Sequence, residues 1–235
     1  MNEIIFTLDE SCPWVNEEYY PVPAAKLLPD WYKEMKGHYA QSSKDAVEVQ
    51  ATQTMKRCMP VFDSIAAGYL IKTYTDVEVK MKDGFHQFKW AQESPIETIT
   101  MHPEFQVKGY KSLSLPVGAP KIQSPWGIKT PKGYSCLFIS PMHRPKIGIT
   151  ILEGVVDTDG YNASVQFPFL VDEGFEGIIP AGTPVVQVIP FKREDWKIKI
   201  GDDKERKQNA MIHSLLRSVW INGYRNKWRK PKTYL

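Results

Sequence analysis

Residues 125–191 read PWGIKTPKGYSCLFISPMHRPKIGITILEGVVDTDGYNASVQFPFLVDEGFEGIIPAGTPVVQVIPF. Short apolar, β-branched runs alternate here with clusters of Pro, Gly, Asp and Thr, which is the punctuation of strands and turns. With the four residues before it, this stretch predicts strands over about 121–129, 134–140, 149–157, 162–170 and 184–191. Turns fall at 130–133 (TPKG), 157–160 (DTDG) and 180–183 (PAGT), where Pro, Asp and Gly supply the backbone angles a reversal needs.

Working outward, strands are expected at 4–8, 69–74, 77–81, 85–90, 96–101 and 196–200. KDG at 82–84 is a hairpin turn between VEVKM and FHQFKW. His86 is expected on the polar face of that hairpin. A short helix is expected over 29–39, with Pro29 in its first turn and Trp31, Met35 and Tyr39 on one face. A helical turn at 58–67 closes at Gly68, and 41–47 and 110–120 read as loops. The longest helix is expected over 203–225, docked by Ile212, Leu215, Leu216, Val219 and Trp220. The aromatic N-terminal loop around WVNEEYYPVP reads as a cover for the sheet or a subunit contact.

The chain has 235 residues, 42% of them apolar, enough for one large core without disulfide or metal support. Its 18 prolines argue against long helices. Net charge is only +3, but residues 206–235 hold eight Lys/Arg and no Asp or Glu, so the cationic field sits at one end. Three cysteines without a CxxC pair suit a reducing compartment; Cys58 and Cys136 read as buried, inert thiols. No basic leader and no run of 18 apolar residues occurs, so no membrane span is expected. The location expected is the cytoplasm of a bacterium or a phage-infected host. The domain reading is one mainly β unit over 1–200 and a basic helix and tail over 201–235.

The phrases LPDWYK (28–33), KRCMPVFDSIAAGY (56–69), RPKIGITILEGVVDTD (144–159) and IPAGTPVVQVIPFKREDW (179–196) resemble an uncharacterised family of phage and bacterial proteins. Residues 125–191 also resemble the core of the dUTPase and dCTP deaminase superfamily. Lys132, Gly133 and Tyr134 match its Pro-x-Gly-Tyr turn, 154–161 its Gly-Val-Ile-Asp-x-Asp-Tyr element with one extra glycine, and 182–187 its Gly-x-x-x-x-Gln strand. The resemblance implies a β-clip barrel or sandwich that forms homo-oligomers and binds a nucleotide or nucleotide-like ligand. It implies Asp157 and Asp159 as the acid pair, Tyr161 as a platform under the sugar, and Gln187, His143 and Arg144 as ligand contacts. The superfamily's Ser-Gly phosphate pair, its Gly-rich closing motif and its N-terminal acidic motif are missing. Catalytic degeneracy follows as an expectation.

Two alternatives stand beside it. One is a non-enzymatic structural or interaction protein of a phage, built on the same fold. The other is a non-haem iron oxygenase, with His102, Glu104 and His143 as ligands and Arg144 as a carboxylate anchor. No cofactor is required by the sequence; Mg would suit the nucleotide reading and Fe the oxygenase. The tail, with Trp220, Tyr224 and Trp228 among Arg225, Lys227, Arg229, Lys230 and Lys232, suits docking of a C-terminal helix or an anionic partner.

Overall fold

The structure is a computed structural model that describes residues 2–39, 53–90, 96–108, 118–218 and 223–235, without the side chains of 216–218. The loop expected at 41–47 and most of that at 110–120 lie outside the described residues.

In chain order, the described elements begin with β1 (Ile5–Leu8), β2 (Val22–Pro23), α1 (Asp30–Glu34) and α2 (Met59–Ile65). β3 (Tyr69–Lys72), β4 (Val77–Lys82), β5 (Phe85–Trp90), β6 (Ile99–His102) and α3 (Glu104–Val107) follow. The central stretch supplies β7 (Ala119–Lys129), β8 (Tyr134–Ile139), β9 (Ile149–Ile151), β10 (Gly154–Val156), β11 (Ser164–Val171), β12 (Gly177–Ile179) and β13 (Pro184–Lys192). The chain ends with α4 (Asp203–Ser218) and α5 (Gly223–Lys227).

The protein is mainly β, with three antiparallel sheets. The first runs β1-β7-β11-β9, with β6 also on β7; the second runs β10-β8-β13-β3-β2; the third runs β12-β4-β5. β1 and β6 share one edge of the long β7, pairing with opposite ends of it. Buried rings join the sheets: Phe138 of β8 meets Phe167 of β11 at 5.6 Å, and Phe88 of β5 meets Phe169 of β11 at 5.6 Å. Val186, Val188, Ile128 and Ile151 fill the space between. Trp14 and Tyr20 of the N-terminal loop close over this core, edge-on to Tyr74 and Trp126.

The expected strand 149–157 is two strands. β9 pairs with β11 in the first sheet and β10 with β8 in the second, so the chain changes sheet at Leu152 and Glu153. One continuous apolar run serves both, because each half buries against a different layer. The hairpin turn is as its sequence requires: Asp83 and Gly84 both have positive φ (52° and 81°), the pair of angles of a two-residue I′ turn. The phase of β5 differs from expectation, since His86 is half-buried on the same face as Phe88 and Trp90. Cys58 is exposed, capping α2 rather than packing in the core, while Cys12 and Cys136 are buried. Helix α1 is half the expected length, because Met35 turns to extended backbone just before Gly37.

Gly68 ends α2 at φ 64°, and a Cβ there would meet the Val188 carbonyl oxygen at 1.9 Å. Only glycine lets helix and strand approach this closely.

The C-terminal third departs furthest. The strand expected at 196–200 is not formed: the segment has no regular structure and pairs with no strand among the described residues, and a strand without a ladder has no hydrogen bonds to hold it. The described residues of the helix expected over 203–225 are helical at 223–227, as α5, and at 203–218, as α4. Among its described side chains up to 215, Ile212 is the one that is half-buried; Val219 and Trp220 lie outside the described residues. No helix among the described residues is long and apolar enough to cross a membrane.

Candidate functional site

The bend after β10 is built by its own backbone. The N–H groups of Gly160 and Tyr161 both donate to the Asp157 carbonyl, at 3.0 and 2.9 Å. Thr158, between the two acids, is fully buried and bonds Thr130 Oγ1 at 2.7 Å and Cys136 Sγ at 3.4 Å. That anchors the bend to β8, with the Asp157 carboxylate open to solvent and the Asp159 side chain only 11% exposed.

Arg193, the residue after β13, collects them. Its Nη1 donates to Asp159 Oδ1 at 2.9 Å and to Asp157 Oδ1 at 3.2 Å, and its Nη2 donates to Asp159 Oδ2. Asp159 also accepts the Gly133 N–H at 2.8 Å, and Asp157 accepts the Ser135 hydroxyl at 2.7 Å. The Arg193 guanidinium, and then the Gly133 N–H, pull the Asp159 carboxyl down to about 2. A carboxylate held that low is a poor carrier of protons near neutrality, where a general base works best with a pKa close to the ambient pH. Asp157 remains open to solvent, its side chain 71% exposed, and Tyr161 beside it is 53% exposed.

Gln187 is elsewhere. Val156 pairs with Cys136, and Cys136 with Pro190, so the acid bend is two strands across and about four residues along from Gln187. That is roughly 16 Å, too far for one small contact set. Gln187 is fully buried, and its amide is committed to the protein: Oε1 accepts the Met142 N–H at 2.8 Å, while Nε2 donates to the carbonyls of Ser64 and Ala67 at 2.9 and 2.7 Å. It satisfies carbonyls at the C-terminal end of α2 that the helix itself cannot.

His143 and Arg144 lie on the turn after β8. His143 has φ 55°, and its carbonyl accepts the Trp31 indole N–H at 2.7 Å. Arg144 is half-buried and donates to the Leu27 carbonyl. Both tie the turn to the N-terminal loop. His102, at the end of β6, pairs its Nδ1 with Gln106 at 2.7 Å, and Glu104 opens the following short helix. His102 ends β6 of the first sheet, whereas His143 sits on the turn after β8 of the second. Among the described residues no three His, Cys, Asp or Glu side chains gather as metal ligands would, so the oxygenase set is not assembled.

The structure therefore brings together Asp157, Asp159 and Tyr161, and adds Ser135 and Arg193, which sequence reading missed. Arg193 carried one signal, a cation directly after a strand, and that is too common to single out. Three cavities among the described residues lie away from the bend. One is an enclosed apolar space of about 20 Å³ between Val79, Phe167 and Phe169, room for a single water molecule. Another, about 490 Å³, lies around Phe175 and Asp172, and the third lies beside the C-terminal segment.

No protein-family model matches the sequence, and no curated protein matches it. Among solved structures, a point mutant of the dUTPase from phage phi11 of S. aureus is similar at 13% identity, over 87% of this chain and 99% of that one, with a TM-score of 0.35. A mutant dUTPase of Staphylococcus bacteriophage 80alpha, in complex with dUpNHpp, is similar at 12% identity over 86% and 90% of the two chains, with a TM-score of 0.34. Likeness at this level carries no conclusion about ligand, chemistry or assembly.

Proposed function

We propose that this is a non-enzymatic interaction protein that works as an assembly of identical copies, joined through the arm at 193–202 and helix α4. The observation that carries this reading is the exposure of that segment. Trp196, Ile198 and Ile200 are 88%, 87% and 83% exposed, at alternate positions of the sequence. Every described residue from 191 to 215 except Ile212 is exposed. Exposed period-two apolar residues are what a strand offers to a sheet edge.

Magnitudes favour exchange between copies. Burying three large side chains yields roughly 5–9 kcal/mol, while association costs about 4–15 kcal/mol. One arm on one partner is therefore weak. Reciprocal arms double the gain for a single association cost, which is how closed symmetric oligomers work. A photo-crosslinking residue at position 198 tests the reading. Covalent dimers or higher species are expected at micromolar protein, and monomer bands alone would contradict it. Three free cysteines suit the bacterial or phage-infected cytoplasm as the setting.

A second reading has its own support. Asp157 and Tyr161 stand exposed on a bend fixed by Thr158 and Arg193, at the root of the arm. A rigid carboxylate beside an exposed ring suits the sugar and base of a nucleotide or nucleotide-like ligand, bound without turnover. Thermal shift with nucleotides at millimolar concentration tests it. A stabilisation lost in Asp157→Asn and Tyr161→Ala is expected, and no shift with any nucleotide removes the reading.

A further inference from the structure

The C-terminal segment meets the N-terminal helices at a cleft of about 360 Å³, with Tyr32, Phe62, Lys56, Arg57, Arg225 and Arg229 in its walls. Four cations and two aromatic rings converge there, and no carboxylate lines it among the described residues. The floor is rigid. Tyr32 is buried and donates its hydroxyl to the Lys56 carbonyl at 3.1 Å, and its ring lies 5.9 Å from that of Phe62. Lys56 Nζ stands over the Tyr32 ring at 5.8 Å, and the Arg229 guanidinium over the Phe62 ring at 5.6 Å.

Arg229 is held in place from behind. Asp63 takes its Nη2 at 2.7 Å and its Nε at 3.1 Å, and takes Lys232 at 2.9 Å. Among the described residues no salt bridge joins Lys56 or Arg225 to a carboxylate. Like charges drawn around one concavity repel each other, and an anion placed between them removes that cost. Arginine forks match phosphate oxygens in geometry as well as charge.

We propose that this cleft binds a small phosphate-bearing anion of at least two negative charges, held by Lys56 and Arg225, with Arg229 as a wall fixed by Asp63. The volume is at the small end of ligand pockets, which favours a compact phosphate compound over a polymer. The site shares no residue with the arm or the acid bend and does not rest on either reading of function.

Titration calorimetry with sodium pyrophosphate on the full chain at low salt tests this. A Kd on the order of 0.1–1 mM is expected, weakened as sodium chloride screens the cleft. Arg225→Ala, an exposed side chain, and Lys56→Gln should each weaken binding about tenfold. Lys89→Ala on β5 should leave it unchanged, and thermal midpoints check that every variant folds. No heat of binding at about 10 mM pyrophosphate, a far weaker interaction than a built site gives, would overturn the proposal. So would folded Arg225→Ala and Lys56→Gln variants that both bind as tightly as the original chain.

Discussion

Arg193 and Asp159 close a two-pronged ion pair at the point where β13 ends and the exposed arm begins, with Nη1 to Oδ1 at 2.9 Å. The same guanidinium reaches the Tyr134 carbonyl and the Ser135 hydroxyl, both at 3.0 Å, and the Arg193 N–H donates to the Gly133 carbonyl at 2.8 Å. One side chain thus fixes both the acid bend and the direction in which the arm departs.

Arg193→Ala should free both. Amide exchange at Gly133, Gly160 and Tyr161 is expected to speed up by about tenfold or more, while the core strands keep their protection, because local opening follows local contacts. Unchanged exchange at Gly133, whose N–H is bonded to Asp159, would show that the ion pair does not organise the bend.

The pH dependence has a definite sign. Asp159 falls from 3.8 to about 2 in the folded chain. Its folded pKa is the lower one, so its stabilising contribution is complete above about pH 4 and is lost as pH falls towards 2. Carbon-13 titration of the Asp159 carboxyl should show a midpoint near that low value. A midpoint near 4 would mean that the pair with Arg193 is not kept in solution.

Gln187→Leu should destabilise the fold by about 3–5 kcal/mol, since it strands the Met142 N–H and leaves the Ser64 and Ala67 carbonyls without their donor in a dry site. Urea unfolding measures it. A loss below about 1 kcal/mol, the range of an ordinary surface change, would contradict the bracing role.

Asp63→Asn should loosen the C-terminal segment while leaving the sheets intact, because Asp63 holds both Arg229 and Lys232. Arg229 and Lys232 lower its pKa, so acid should have the same effect, progressively as Asp63 protonates. Limited proteolysis within 223–235 is expected to accelerate in the variant. Equal cleavage rates would place the anchoring elsewhere, at Tyr234 against Tyr69.

Much of the sheet was legible because period-two burial and turn chemistry are local. DTDG and KDG announced their reversals. What was not legible is long-range. Gln187 reads equally as a pocket liner or a brace, and only its partners from α2 and the turn after β8 decide. Alternation at 196–200 predicts a strand that the structure does not form, because sequence pattern says nothing about whether a neighbouring strand is there to pair with. The basic tail is docked by ion pairs to Asp63, a carboxylate 166 residues from Arg229, and no local pattern points to such a partner.

Sedimentation equilibrium over the micromolar range, comparing the chain with the Trp196→Ser, Ile198→Ser, Ile200→Ser triple variant, goes to the centre of the account. The original chain is expected to run as a closed oligomer and the variant as a monomer of about 27 kDa, with unfolding stabilities of the separated monomers within about 0.5 kcal/mol of each other, as for exposed positions. A monomeric original chain at about 50 μM, where an interface of ordinary size is well populated, or a triple variant that assembles as well as the original, would contradict it.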